Sequence, residues 1–96
     1  MIVHIVMFKF KEEKRESNIK EVVKRLNALV ELIPELKSME VGVNFTDSER
    51  AFDLSLYSTF ETKEALASYA IHPKHLKVVE LIKSVTLESK VVDYIL

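Results

Sequence analysis

The chain has 96 residues, 48% of them hydrophobic and 30% charged, with a formal net charge of −1 from 14 basic and 15 acidic side chains. So even a balance argues against a nucleic-acid or anionic-membrane surface as the main partner, and the lack of cysteine excludes disulfides, thiolate nucleophiles and thiolate metal sites. One glycine and two prolines leave little room for disorder or low complexity, and the length fits a single domain, residues 1–96, that buries roughly 60–65% of the surface its unfolded form exposes. A cysteine-free chain is compatible with a reducing compartment, and a cytoplasmic location is the expectation.

The opening Met1–Phe8 is apolar but interrupted by His4, has no basic region before it, and is far too short to span a bilayer. Residues 2–10 instead read as a β-branched, aromatic strand. The mixed charges from Lys9 to Glu16 form a solvated loop, and Ser17 is the expected N-cap of the next element. Ile19, Val22, Val23, Leu26, Leu29, Val30 and Ile33 recur at helical spacing, and Pro34 ends that helix by disfavouring the α region at the residue before it. Residues 38–46 alternate, with Met39, Val41, Val43 and Phe45 on one side. A turn at 46–50 leads to a second alternating run, 52–60, which places Phe52, Leu54, Leu56, Ser58 and Phe60 on one face. Thr62 caps a short helix carrying Ala65, Leu66, Tyr69 and Ala70. His72-Pro73 breaks it, and Pro73 opens a further helix with Leu76, Val78, Val79 and Ile82 as its apolar positions. Residues 88–95 form the last strand. The order β-α-β-β-α(α)-β predicts an α+β, ferredoxin-like fold, a four-stranded antiparallel sheet with helices on one face.

The first strand raises a problem of coverage. His4, Val6, Phe8 and Phe10 lie on one face and Val3, Ile5, Met7 and Lys9 on the other, and both faces are mainly apolar. Helices cover only one. Monomers seldom expose large apolar patches and most homo-oligomers are twofold symmetric, so a homodimer is expected, with the second sheet as the cover.

The stretches Val3-His4-Ile5-Val6-Met7-Phe8-Lys9-Phe10, Ile33-Pro34-Glu35-Leu36-Lys37, Asp53-Leu54, Phe60, Tyr69-Ala70-Ile71-His72-Pro73-Lys74-His75 and Val92-Asp93-Tyr94 fall in order over nearly the whole chain. In them the sequence resembles the stress-responsive A/B barrel family, and the resemblance implies a dimeric α+β barrel. That family has no single activity. Similarity in motif extends to its plant polyketide cyclase, and this implies catalytic roles for Tyr69 and His75 and a pocket position for His4. A second pocket histidine of that enzyme is replaced here by Leu54, which weakens the transfer of its substrate.

Bottom-up, Tyr69 and the three histidines are the only clustered chemistry. Tyr69 and His75 would stand about 120° apart on one straight helix, but the break at His72-Pro73 lets the second helix re-aim His75 into a shared cavity. In the first turn of that helix, His75 is held neutral by the positive helix end and by burial, as a general base requires. Tyr69 then suits a substrate carbonyl or enolate oxygen. The structural alternatives are a core tyrosine, a satisfied core His4, and His72 capping its helix with its ring. His4, Leu54 and His72 are the expected ligand-binding residues. A zinc set of His4, His72 and His75 is disfavoured by the proline kink and by the want of a nearby carboxylate, so no metal is expected. No cofactor is expected either, because the single Gly42 cannot make a phosphate loop. Two functions therefore compete. One is a dimer that binds a small organic molecule in a pocket between sheet and helices. The other is a cofactor-free cyclase or lyase acting on a carbonyl or polyketide-like compound with the Tyr-His pair. Assembly beyond the dimer is a third, structural alternative.

Overall fold

The computed structural model describes residues 1–96. The elements run β1 (Ile2–Phe10), α1 (Arg15–Leu32), β2 (Ser38–Val43), β3 (Leu54–Phe60), α2 (Lys63–Ala70), α3 (Pro73–Val85) and β4 (Thr86–Ile95). The four strands form one antiparallel sheet in the order β2-β3-β1-β4, the ferredoxin-like arrangement that the element order predicts. No helix is long and apolar enough to cross a membrane.

β1 and β3 are the two inner strands, and β1 is apolar on both faces. It pairs with β3 from Ile2↔Phe60 to Phe8↔Leu54, and with β4 from Ile2↔Ile95 to Phe8↔Ser89. That register puts Ile2, His4, Val6, Phe8 and Phe10 on the same face as Leu54, Leu56, Ser58 and Phe60. The core forms where this face meets α1, α2 and α3, through Val22, Leu26, Leu29, Ile33, Tyr69, Val78 and Ile82. Ser58 is the single fully buried polar residue, and its hydroxyl donates to the His4 carbonyl at 3.0 Å, so it brings no unsatisfied group into the core.

Four local expectations need correction. Ser17 does not cap α1. The helix starts three residues earlier, after Lys14 in the left-handed region (φ 52°), and the Ser17 hydroxyl instead donates to the Lys14 carbonyl. The second strand stops at Val43 rather than 46, because the Asn44 side chain folds onto Thr46 in a local turn, accepting from its N–H and donating to its carbonyl. Phe45 is consequently on the surface, 98% exposed, and not on the core face. The third strand starts at Leu54 rather than 52, because Asp53 is occupied with the end of β1: its N–H donates to the Phe8 carbonyl and its carboxylate accepts from the Phe10 N–H at 2.7 Å. In α3, Leu76 faces solvent, and His75, Val78 and Ile82 make the inward stripe.

Leu26 sits at the centre of the α1 stripe, 1% exposed. Leu26→Ala should cost about 2–5 kcal/mol through lost transfer energy and a residual cavity. Urea denaturation followed by circular dichroism should show a lower midpoint at unchanged slope.

Candidate functional site

The site is built by α2, α3 and the open end of the sheet. Thr62 caps α2, its hydroxyl accepting from the Ala65 N–H at 3.0 Å. This fixes the helix so that Tyr69, at its end, turns inward and packs on Phe60 with ring centroids 5.0 Å apart. The chain then breaks at Ile71. His72 caps α3, its Nδ1 accepting from the Lys74 N–H at 3.1 Å, and Pro73 takes the first helical position. The re-aimed helix brings the His75 ring to 4.2 Å from the Tyr69 ring, centroid to centroid, at an interplanar angle of 35°. On the sheet side, His4 meets Phe60 edge-on at 6.4 Å. The four rings thus form one chain of contacts: His4, Phe60, Tyr69, His75.

The polar atoms define what this group can do. His75 Nδ1–H donates to the Ala70 carbonyl at 3.1 Å, which leaves Nε2 as the free ring nitrogen of the neutral imidazole. Burial lowers the His75 pKa below its ordinary value, and repulsion from His4 and His72 adds to this; the Ala70 bond works the other way and does not reverse it. Tyr69 is 2% exposed, and burial raises its phenol above its usual range, so it remains a hydrogen-bond donor. Its hydroxyl has no partner within the chain, yet it is not among the fully enclosed unsatisfied atoms and so borders accessible space.

His4 Nδ1 hydrogen-bonds the Asp93 carboxylate across the β1–β4 ladder. Asp93 in turn lines an open cleft of about 570 Å³ with Ile2, Lys63, Leu66, Tyr94 and Ile95, between α2 and the free end of the sheet. Leu54 is not part of this group. It lies 2% exposed opposite Phe8, two inward-facing pairs further along the strands from His4–Ser58, or about 13 Å away. His72 is spent as a cap, as one of the structural alternatives anticipates. No three His, Cys, Asp or Glu side chains are gathered as a metal ion would need.

Residues 2–96 match the stress responsive A/B barrel domain. The chain belongs to that family. Olivetolic acid cyclase of Cannabis sativa is 30% identical over 95 residues, covering 97% of this chain and 94% of that enzyme. A stress-response A/B barrel domain-containing protein of Arabidopsis thaliana is 40% identical over 80 residues; the match takes in 83% of this chain but only 30% of that longer protein. Among solved structures, a dimeric protein of unknown function and ferredoxin-like fold from Bacteroides fragilis superposes with a TM-score of 0.87 at 26% identity, covering 97% of this chain and 93% of the other.

Within this A/B barrel domain, Asp93 is the site residue that sequence reasoning passes over. It stands on a strand otherwise read as apolar, and its partner His4 is 89 positions away. The available signal is parity: Asp93 shares its face with Val91 and Ile95, so a carboxylate interrupts an inward-facing apolar row.

The His75 shift carries a sign. A histidine whose folded pKa lies below its unfolded value binds protons more readily when unfolded, so acid destabilises the fold. Unfolding free energy should fall as pH drops below about 6.5, the ordinary histidine value, and this loss should level off below the lowered folded value. His75→Gln should flatten that slope in denaturant titrations run at successive pH values; an unchanged slope would contradict the assignment.

Proposed function

We propose that this A/B barrel domain is a homodimer that binds a small carbonyl-bearing organic molecule between sheet and helices, in the cytoplasm. The observation that carries the binding reading is the Tyr69–His75 pair. A buried phenol kept protonated, with its hydroxyl unpartnered, stands against a neutral imidazole whose Nε2 is free. A ligand's carbonyl oxygen approaching from the accessible side would give this hydroxyl an acceptor.

The homodimer is supported by the second sheet face. Val3 is buried there by its own neighbours, but Met7, Tyr57, Val92 and Tyr94 are 37–53% exposed on one contiguous surface, and the Bacteroides fragilis neighbour is dimeric. Light scattering should give twice the mass of one chain. Val92→Glu, which would bury an unpaired charge at the seam, should shift the protein to monomer. A wild type that runs as a monomer at micromolar concentration excludes this arrangement.

A second reading, catalysis without a cofactor, is favoured by the His75 tautomer, because the Ala70 bond turns the basic nitrogen away from the helix. In this reading His75 Nε2 removes a proton from the carbon beside the carbonyl, and the Tyr69 hydroxyl donates to the enolate oxygen that results. The enolate carbon attacks a second carbonyl carbon of the same molecule, closing a C–C bond. The imidazolium then returns its proton to the new alkoxide. The family likeness to olivetolic acid cyclase supports this direction. Deuterium exchange at the carbon beside the ketone of a simple linear diketone tests it before the natural substrate is known. The protein should accelerate exchange over buffer, and His75→Ala should remove the acceleration on the order of a hundredfold. Exchange equal to that of buffer, or unaffected by the substitution, leaves only the binding reading.

A further inference from the structure

We infer that the recess above Gly42, at the hairpin end of the sheet face turned away from the helices, is a socket that an apolar side chain of a second copy fills. This rests on the proposed homodimer and names the place in its seam where each copy completes the other.

The chain has one glycine, and it stands inside β2. A glycine weakens a strand, because it has more backbone freedom to lose and no side chain to pack. Nothing in the fold requires it at this position. Its φ is not positive, and a Cβ added there would meet only the Ser55 Oγ at 3.6 Å, an ordinary contact. An alanine would therefore fit. A strand glycine that its own chain needs neither for conformation nor for space marks a position where something from outside approaches closely.

The register shows what surrounds it. Gly42 pairs with Ser55 and Ser55 with Met7, so the three stand in a row on the outer face. That row borders an open recess of about 390 Å³, together with Leu54, Phe45 and Phe52. The one charged side chain of its lining, Arg50, takes part in none of the ion pairs of the chain, and the Asn44 amide is committed to Thr46. Met7 also belongs to the exposed surface of Tyr57, Val92 and Tyr94, so the recess is continuous with the face that a second sheet would cover. Phe45 is 98% exposed. A small molecule lodged above Gly42 would leave much of that ring in water, whereas a second sheet laid over the face covers ring and recess together. The flat centre of the face does not fix where the partner sits. A side chain seated over Gly42 does, and twofold symmetry fills the recess of each copy from the other.

A chain without cysteine makes the test direct. Gly42→Cys puts a single thiol in the recess, and its rate of reaction with a maleimide is compared in the otherwise wild-type protein and in the Val92→Glu background. The thiol should react on the order of tenfold more slowly in the dimer than in the monomer. Lys77→Cys, exposed on α3, should react equally in both. Gly42→Leu, which fills the socket from its own side, should raise the dissociation constant measured by sedimentation on the order of tenfold or more, and Gly42→Ala should raise it far less. Circular dichroism checks that each variant is folded. Should Gly42→Leu misfold, Phe45→Ser carries the same comparison: it should weaken the dimer and leave thermal unfolding of the Val92→Glu monomer unchanged. Equal thiol rates in dimer and monomer, or substituted dimers as tight as the wild type, would overturn the socket and leave the recess to a different ligand, with the homodimer intact. A wild type that sediments as a monomer would instead remove the homodimer on which the socket rests.

Discussion

β1 is hydrogen-bonded along both edges and apolar on both faces, and the rest of the molecule is arranged around that constraint. On the side facing the helices Ile2, Val6, Phe8 and Phe10 are buried, whereas Met7 on the other side is 43% exposed. His4 is the exception on the inward face, and the fold absorbs it in two ways. Its ring finds Phe60 and the Asp93 carboxylate, and its backbone carbonyl receives the Ser58 hydroxyl. A buried imidazole with those partners costs far less than a bare one.

The break between α2 and α3 turns a core into a candidate site. On one continuous helix Tyr69 and His75 would diverge. With Thr62 holding the start of α2 and His72-Pro73 resetting the axis, they stack at 4.2 Å. The same break frees the Ala70 carbonyl from the helical ladder. That carbonyl takes the His75 Nδ1–H and so decides which nitrogen stays available. A loop connection would leave both rings to thermal motion; two caps and one backbone bond leave them little freedom.

Much of this is legible in the sequence, and the failures divide between local backbone geometry and long-range register. The strand and helix periods, the Thr62 and Pro73 signals and the two-faced first strand are local patterns, and a local pattern is visible in one chain. The Tyr69–His75 pair is also within reach, because both residues lie within one short stretch on either side of a visible proline. The Ser17 cap fails because a left-handed lysine carries no propensity signal. Phe45 is misplaced because alternation continues past the point where Asn44 folds onto Thr46. Asp53 and Asp93 depend on registers between segments tens of residues apart, and no single-chain pattern reports a register. Leu54 is singled out through resemblance alone, and its position opposite Phe8 follows from the same register.

The two apolar faces of the sheet therefore have different consequences for chemistry. On the outer face the exposed side chains are carbon-rich and nearly uncharged at the centre, so what they favour is coverage, and any complementary sheet would serve. On the inner face the helices cover β1 and β3, while β4 stays exposed along its length and Asp93 and Ile95 border the cleft beside α2. A phenylalanine at position 69 would pack on Phe60 and His75 as well as the tyrosine does; the hydroxyl adds nothing that the chain itself uses. That hydroxyl, without a partner in the chain and carried by the ring packed against His75, is the group best placed to donate to an acceptor that a bound molecule brings.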